Sequence, residues 1–308
     1  MNNVSFRDYP QDFGVSKMAE MVLLYTFAMF SLSFFIGTLF SENILLFFIS
    51  LLFIVSSRRI AFSEKMIFLA QVVLLVAVML SIYEWVGKVD FYVGGMKRFD
   101  KIAHDIDLMI FGINPALYIQ QFTSLWPLIW QHSFYDLLMM SYFLYFFLPF
   151  VIMLTFFVSA QEEEKFFIGR ITMSYIIMFL INFSFYLIIP ISGPIDYLHD
   201  LYPSPLPFGH VSGFLFKIIA DFRNNFIDCF PSGHAGASLL SLFWAFRLNL
   251  IIKWGIALVT VFILMAVFML RFHYFIDVFC SIILVLTSYY LARFFYPWGV
   301  RSEMINKN

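Results

Sequence analysis

The chain has 308 residues, of which 62% are hydrophobic and 13% are charged, and its formal net charge is −1. A water-exposed domain usually carries about a quarter charged residues, so this composition excludes a soluble globular protein and predicts an integral membrane protein. The apolar residues are spread over the whole length, which predicts one membrane domain over residues 1–308. The expected partners are lipids, and no binding of nucleic acid is expected.

A helix needs about 20 mostly apolar residues to cross the hydrocarbon of a bilayer. The first apolar run is too long for the core of a signal peptide, so it is expected to be a retained anchor. The second run is short and could be a re-entrant hairpin. We predict an all-α bundle of about eight transmembrane spans, near residues 19–40, 43–57, 64–86, 134–160, 166–189, 233–250, 253–270 and 275–296.

The orientation follows from the Lys and Arg residues, which accumulate in cytoplasmic connections. The orientation that puts most of these residues on the inner side has both chain ends in the cytoplasm. It places Arg58, Arg59 and Lys253 in inner loops. The outer side then holds two substantial connections, residues 87–133 and 190–232. The protein is therefore predicted to lie in a plasma or inner membrane.

The two outer connections differ in character. "FDKIAHDIDLMIFGINPALYIQQF", residues 99–122, has apolar groups at helical spacing, which predicts an amphipathic helix in the membrane interface. His104, Asp105 and Asp107 are expected on its solvated face. "PISGPIDYLHDLYPSPLPFGH", residues 190–210, is rich in Pro, Gly and Ser and predicts an ordered but irregular loop.

"CFPSGHAGASLL", residues 229–240, opens the sixth predicted span. Ser232 is a possible N-cap, and Gly233 would let a ligand approach the backbone. The N–H groups of such a helix start would hold an anion. The two cysteines, Cys229 and Cys280, fit no metal or redox spacing, and we interpret both as packing residues.

"RFHYFID", residues 271–277, opens the last span. His273 and Asp277 are four residues apart and therefore share one helix face. An imidazole that donates to a carboxylate is suited to act as a nucleophile or base. Arg271 could grip a phosphate through two hydrogen bonds. An interfacial ion pair without chemistry is the alternative explanation.

The chain between His234 and Arg271 has room for two crossings, which return it to the same face of the membrane. Both histidines are therefore expected at the outer edge beside the anion-binding helix start. His273 would attack phosphorus, Asp277 would orient it, and His234 would protonate the leaving oxygen. This chemistry requires no metal and no cofactor. Lys97 and Arg98 could complete the phosphate pocket, although contact with lipid headgroups would also explain them.

These paired motifs resemble the type 2 phosphatidic acid phosphatase superfamily, integral membrane enzymes that form a phosphohistidine. "RFHYFIDV" and "FDKIAHDIDLMIFGINP" are most similar to the branch of inositol phosphorylceramide synthases and sphingomyelin synthases. The resemblance covers roughly residues 99–296. It implies a six-span catalytic core over residues 88–296, preceded by N-terminal spans over 1–87. It also implies that His273 is the nucleophile, Asp277 its partner and His234 the acid.

Three functions follow as hypotheses. The first is transfer of a phospho-headgroup, such as phosphoinositol, between lipids at the outer leaflet. The second is hydrolysis of phosphatidic acid-like or isoprenoid phosphates by the same histidines. The third, from another class, is a transporter with a proton relay, but its ionisable groups would be expected near mid-membrane rather than at span ends. A scaffold without activity is also compatible with the sequence.

Overall fold

The computed structural model describes residues 11–37, 41–59, 63–158, 167–202, 204–222 and 226–296. Within these ranges the regular structure is helical, apart from an isolated parallel bridge between Ile191 and Asp228. The predicted all-α class is therefore confirmed. The chain ends that the sequence assigns to the cytoplasm include residues 1–10 and 297–308, which lie outside the described residues.

Thirteen α-helices are present in the described ranges, together with a 3₁₀ turn at His199–Leu201. They are α1 (Gln11–Ile36), α2 (Ser41–Arg59), α3 (Glu64–Tyr92), α4 (Asp100–Phe111), α5 (Pro115–Thr123), α6 (Leu128–Leu144), α7 (Leu148–Phe157), α8 (Phe167–Ile188), α9 (Pro194–Tyr197), α10 (His210–Phe222), α11 (Gly233–Ala245), α12 (Leu250–Met269) and α13 (Phe275–Phe295).

The number of membrane spans in the described ranges is five or six. Five helices, α1, α3, α8, α12 and α13, are long and apolar enough to cross a membrane. Helices α6 and α7 meet at 54° and could together form a sixth span. The eight predicted spans are therefore not confirmed. Two of the eight correspond to short helices, because the apolar part of α2 is only residues 43–56 and α11 has 13 residues.

The chain forms two compact units. The first comprises the described residues of 1–85, 150–180 and 287–308. In it, α1 and α2 pack together, and Ser33 accepts hydrogen bonds from Asn43 Nδ2 at 2.8 Å and from Trp85 Nε1 at 3.0 Å. These bonds satisfy polar groups that would otherwise be costly among apolar helices.

The second unit comprises residues 86–149 and 181–286 and contains both candidate motifs. Helix α6 packs against α10 and α12, and α12 also packs against α11 and α5. Asp136 of α6 accepts hydrogen bonds from the main-chain N and the Oγ of Ser212 on α10, at 2.7 and 2.6 Å. This carboxylate fixes the start of α10 on α6.

The two connections that the sequence assigns to the outer side differ from the prediction in their helices. The segment 99–122 is not one helix, because Gly112 ends α4 in the left-handed conformation and Asn114 caps α5 through Leu117 N at 3.0 Å. The segment 190–210, predicted as an ordered but irregular loop, contains the four-residue helix α9 and the 3₁₀ turn, and α10 begins at its last residue. Apolar side chains at helical spacing within 210–222 explain α10.

Candidate active site

The start of α11 is built as the sequence predicts. Ser232 caps the helix, because its Oγ accepts a hydrogen bond from Ala235 N at 3.2 Å. The N–H groups of Gly233 and His234 open the helix and have no acceptor within it. A Cβ on Gly233 would lie 2.9 Å from Asn182 Oδ1, so this position requires glycine for close packing. Asn182 Nδ2 also donates to Pro231 O at 2.7 Å, which holds the motif in place.

The second motif is joined to the first through the main chain. Ser232 N donates to Asp277 O at 3.1 Å, and Ser281 Oγ donates to Ser232 O at 2.8 Å. Arg271 has a φ of 64°, which turns the chain between α12 and α13. Residues far apart in sequence are thus fixed in register at one end of the unit.

His234 and His273 lie side by side, as the sequence predicts. Their ring centroids are 5.6 Å apart, and the planes are inclined by 58°. His273 is 4% exposed and Asp277 is fully buried, whereas His234 is partly exposed. The predicted residues therefore form one cluster with limited access to solvent.

A main-chain acceptor determines which ring nitrogen of His273 carries the proton. Its Nδ1 lies 2.9 Å from the carbonyl oxygen of Cys229 and 3.5 Å from Asp277 Oδ2. A carbonyl oxygen can only accept, so Nδ1 carries the proton and Nε2 has the lone pair. The neutral ring is therefore held in the tautomer whose Nε2 can act as a nucleophile.

Asp277 is held by neighbours other than His273. Its Oδ2 accepts hydrogen bonds from Cys229 Sγ at 2.8 Å and from Tyr274 N at 2.8 Å. Cys229 packs in a buried hydrophobic cluster with Ile191 and Tyr274, as the sequence predicts, and in addition its thiol and its carbonyl contact both members of the pair. The one sequence signal that Cys229 would contact the site was its position three residues before Ser232.

Arg271 lies at the turn before His273 and is 7% exposed. Its guanidinium is 3.7 Å from the centre of the Tyr202 ring, and Nη2 donates to Ser204 O at 3.1 Å and to Gln120 Oε1. These contacts fix a positive charge two residues from the nucleophilic candidate. They also tie α5 and the loop before α10 to the turn.

The other two predicted phosphate ligands lie in the segment between α3 and α4. Arg98 donates to both carboxylate oxygens of Asp90, at 3.0 and 2.7 Å. This ion pair occupies the guanidinium with a neighbouring acid. Lys97 is exposed.

Two acids of α4, which sequence analysis did not assign to the site, support the turn before α13. Asp100 accepts N–H donors of Ser192, at 3.0 Å, and Gly193, at 2.8 Å. Gly193 has a φ of 97°, and a Cβ there would lie 2.6 Å from Phe272 O, so the loop 190–194 packs directly on the turn. Asp107 was expected on the solvated face of its helix. This expectation was wrong, because the residue is buried.

Asp107 caps the start of α13 from another helix. Its carboxylate accepts Phe275 N at 2.9 Å and Ile276 N at 3.3 Å. Burial raises the pKa of Asp107 to about 6, and these two N–H donors oppose the rise. Asp100 and Asp107 lie seven residues apart on the buried face of α4, with Ala103 between them. That spacing was the sequence signal that both acids turn inward.

Aromatic rings pack against His234. Tyr142 stacks on His234 with a centroid distance of 4.3 Å, and Tyr145 lies at 4.0 Å from the same ring. Phe272 packs against Tyr142 at 4.7 Å, and Phe216 of α10 stacks on Phe272 at 6.5 Å. Tyr142 lies on α6, Tyr145 directly follows α6 and Phe216 lies on α10, so Phe272 is the one ring of this group that belongs to either motif.

One group of side chains in the described ranges has ligand atoms close enough for a metal ion. Cys229 Sγ, His273 Nδ1 and an Asp277 carboxylate oxygen lie within 4.8 Å of one another. The thiol and the imidazole N–H are both engaged in hydrogen bonds, so a metal would have to displace two protons. The geometry therefore fits a hydrogen-bonded network more closely than an open metal site.

The comparison with known families agrees with this geometry. A family model described as the PAP2 superfamily matches residues 110–291, which include His234, His273 and Asp277. No curated protein and no solved structure matches the chain. The match covers more than half of the chain and indicates an enzyme that acts on lipid phosphates. This protein belongs to the PAP2 superfamily, the type 2 phosphatidic acid phosphatases that its two motifs resemble.

Proposed function

We propose that the protein is a membrane phosphotransferase that moves a phospho-headgroup between lipids through a phosphohistidine on His273. The proposed donor is a glycerophospholipid such as phosphatidylinositol, and the proposed acceptor is a lipid alcohol such as ceramide. The observation that carries the proposal is the 5.6 Å separation of the His234 and His273 rings beside the helix start at Ser232.

In the first step, Nε2 of His273 attacks the phosphorus. The N–P bond forms as the bond from phosphorus to the diacylglycerol oxygen breaks, and His234 donates a proton to that oxygen. In the second step, the acceptor hydroxyl gives its proton to His234 and attacks the phosphohistidine, which restores Nε2. Asp277 stabilises the positive charge of the phosphorylated ring, 3.5 Å from Nδ1.

The phosphate oxygens require donors close to the two rings. We assign this role to the N–H groups at the start of α11, at Gly233 and His234, with the Ser232 hydroxyl beside them. Arg271 supplies a fixed positive charge at the turn. Arg98 is bound to Asp90, so it enters the proposal only if that ion pair opens, and Lys97 is assigned to the approach of the anionic lipid.

Transfer rather than hydrolysis requires that water be kept from the phosphohistidine. The rings of Tyr142 and Tyr145 against His234, with Phe272 packed on Tyr142, support this requirement. The second candidate is a lipid phosphate phosphatase that hydrolyses phosphatidic acid-like or isoprenoid phosphates. It uses the same first step and differs only in the molecule that takes the phosphoryl group.

We also propose that the reaction requires no metal, because an acid, a nucleophile and an anion cradle are sufficient for it. Activity should then survive EDTA. A loss that added Mg²⁺ or Zn²⁺ restores would show that the histidines were assigned the wrong roles.

The deciding experiment is an assay of the pure enzyme with phosphatidylinositol labelled in its headgroup. Ceramide, diacylglycerol or no acceptor is added, and the label is followed into lipid and water-soluble products. We expect label in a new lipid only when an alcohol acceptor is present. If the label appears only in a water-soluble product whatever the acceptor, and simple lipid phosphates are cleaved faster, the phosphatase is the correct function.

A further inference from the structure

Cys229 is the residue that connects the histidine and the acid of the site. Its carbonyl oxygen accepts the Nδ1 proton of His273 at 2.9 Å, and its thiol lies 3.3 Å from the same nitrogen. The thiol also lies 2.8 Å from Asp277 Oδ2 and 3.2 Å from Phe272 O. Every one of these groups is buried or lies at the turn before α13.

A thiol has one proton and can donate it to one strong acceptor at a time. The Asp277 carboxylate is the closer acceptor of the two and the charged one, so the thiol proton points to Oδ2. Asp277 Oδ1 is buried without a partner among the described residues. The carboxylate therefore depends on Cys229 and on Tyr274 N for its orientation.

We propose that Cys229 is a positioning residue, whose carbonyl selects the reactive tautomer of His273 and whose thiol holds Asp277 beside that ring. The carboxylate is thereby kept from replacing the Cys229 carbonyl as the acceptor of the Nδ1 proton. This inference rests on the proposed function of His273 and Asp277. It assigns to Cys229 no contact with the substrate.

The thiol can be tested separately from the carbonyl, because side-chain substitutions leave the main chain in place. Cys229→Ala should lower kcat by about tenfold, as expected for a lost hydrogen bond to a charged group, with little change in KM. Cys229→Ser keeps a donor and should stay within about threefold of the wild-type kcat. Cys280→Ala is the matched control and should leave kcat and KM unchanged.

A double-mutant cycle distinguishes positioning from a general structural effect. If Cys229 acts through Asp277, then Cys229→Ala should change kcat by less than about twofold in an Asp277→Asn background. Equal losses in both backgrounds would overturn the inference. Should Cys229→Ala not fold, Cys229→Val also lacks the donor while filling the space, and it is judged by the same criteria.

Two further results would contradict the inference. One is a folded Cys229→Ala enzyme with wild-type kcat, and the other is a Cys229→Ser enzyme as slow as the alanine variant. Both leave the proposed function intact, because the wild-type enzyme is active in each. A wild-type enzyme that puts no phosphorus on His273 would instead contradict the proposed function, and this inference with it.

Discussion

His273 donates its Nδ1 proton to the main-chain oxygen of Cys229, 2.9 Å away, and not to Asp277, whose Oδ2 is 3.5 Å from that nitrogen. The tautomer of the nucleophilic candidate is thus set by a main-chain group that no side-chain substitution removes. Asp277 is left to act through its charge. A catalytic acid often both fixes the tautomer of a histidine and stabilises its positive charge. Here the carbonyl of Cys229 has the first role and Asp277 has the second.

This division predicts the effect of removing the charge of Asp277. Asp277→Asn should lower kcat by about 100-fold, less than in serine proteases, where the equivalent change also disturbs the tautomer and costs about 10⁴-fold. Asp200→Asn, at an exposed loop acid, is the control and should leave kcat unchanged. Wild-type rates for Asp277→Asn would remove the acid from the mechanism.

Gly193 should tolerate no side chain, because its Cβ would lie 2.6 Å from Phe272 O at the turn before His273. Gly94 has a similar φ of 79° with nothing within 4 Å of the added Cβ, so it is a matched control. Both alanine variants should lose about 1–2 kcal/mol of stability from the left-handed backbone. In addition, Gly193→Ala should lose activity and melt at a clearly lower temperature than Gly94→Ala. Equal melting temperatures would show that the contact with the turn is unimportant.

Asp107 should make the stability of the protein depend on pH. Its pKa is about 6 in the folded protein and 3.8 without burial, so between these values the unfolded chain loses the proton first. Stability from this group is therefore full below about pH 4 and is lost as the pH rises to about 6. The melting temperature of wild type relative to Asp107→Asn should fall by a few degrees over this window. A constant difference from pH 4 to pH 7 would contradict the assignment.

The membrane orientation can be tested with exposed cysteines in a Cys280→Ala background. Asp200→Cys, in the loop near the site, should react with a membrane-impermeant thiol reagent applied from outside. Asn249→Cys, in the connection between α11 and α12, should not react. Native Cys229 is buried and should give no background labelling. The opposite pattern would place the chemistry in the cytoplasm.

The class of fold and the proximity of His234 to His273 could be predicted from the sequence, for physical reasons. Long apolar runs can only be satisfied as helices in a membrane, and the spacing of His273 and Asp277 places both on one face of α13. Helices α11 and α12 lie between the two motifs, and their packing against each other brings His234 to the same end of the unit. These conclusions need only local spacing and span length.

The support of the site could not be predicted in the same way. Asp107 caps a helix 168 residues further along the chain, and Tyr142 reaches His234 from α6. Such contacts depend on tertiary packing, which leaves no pattern in a single sequence. The count of eight spans is not confirmed for a related reason, since α11 has 13 residues and a short apolar helix can be buried among other helices without crossing the membrane.

The most direct test of the central claim is to trap phosphorus on His273. The enzyme is mixed with a donor lipid labelled at phosphorus, quenched at alkaline pH where phosphohistidine survives, and digested for peptide mapping. We expect the label on the peptide that contains residues 271–277, at His273, in wild type and not in His273→Ala. His199→Ala, which changes an exposed histidine in the 3₁₀ turn after α9, should retain the label. Label on another residue, or turnover by His273→Ala at the wild-type rate, would contradict the account.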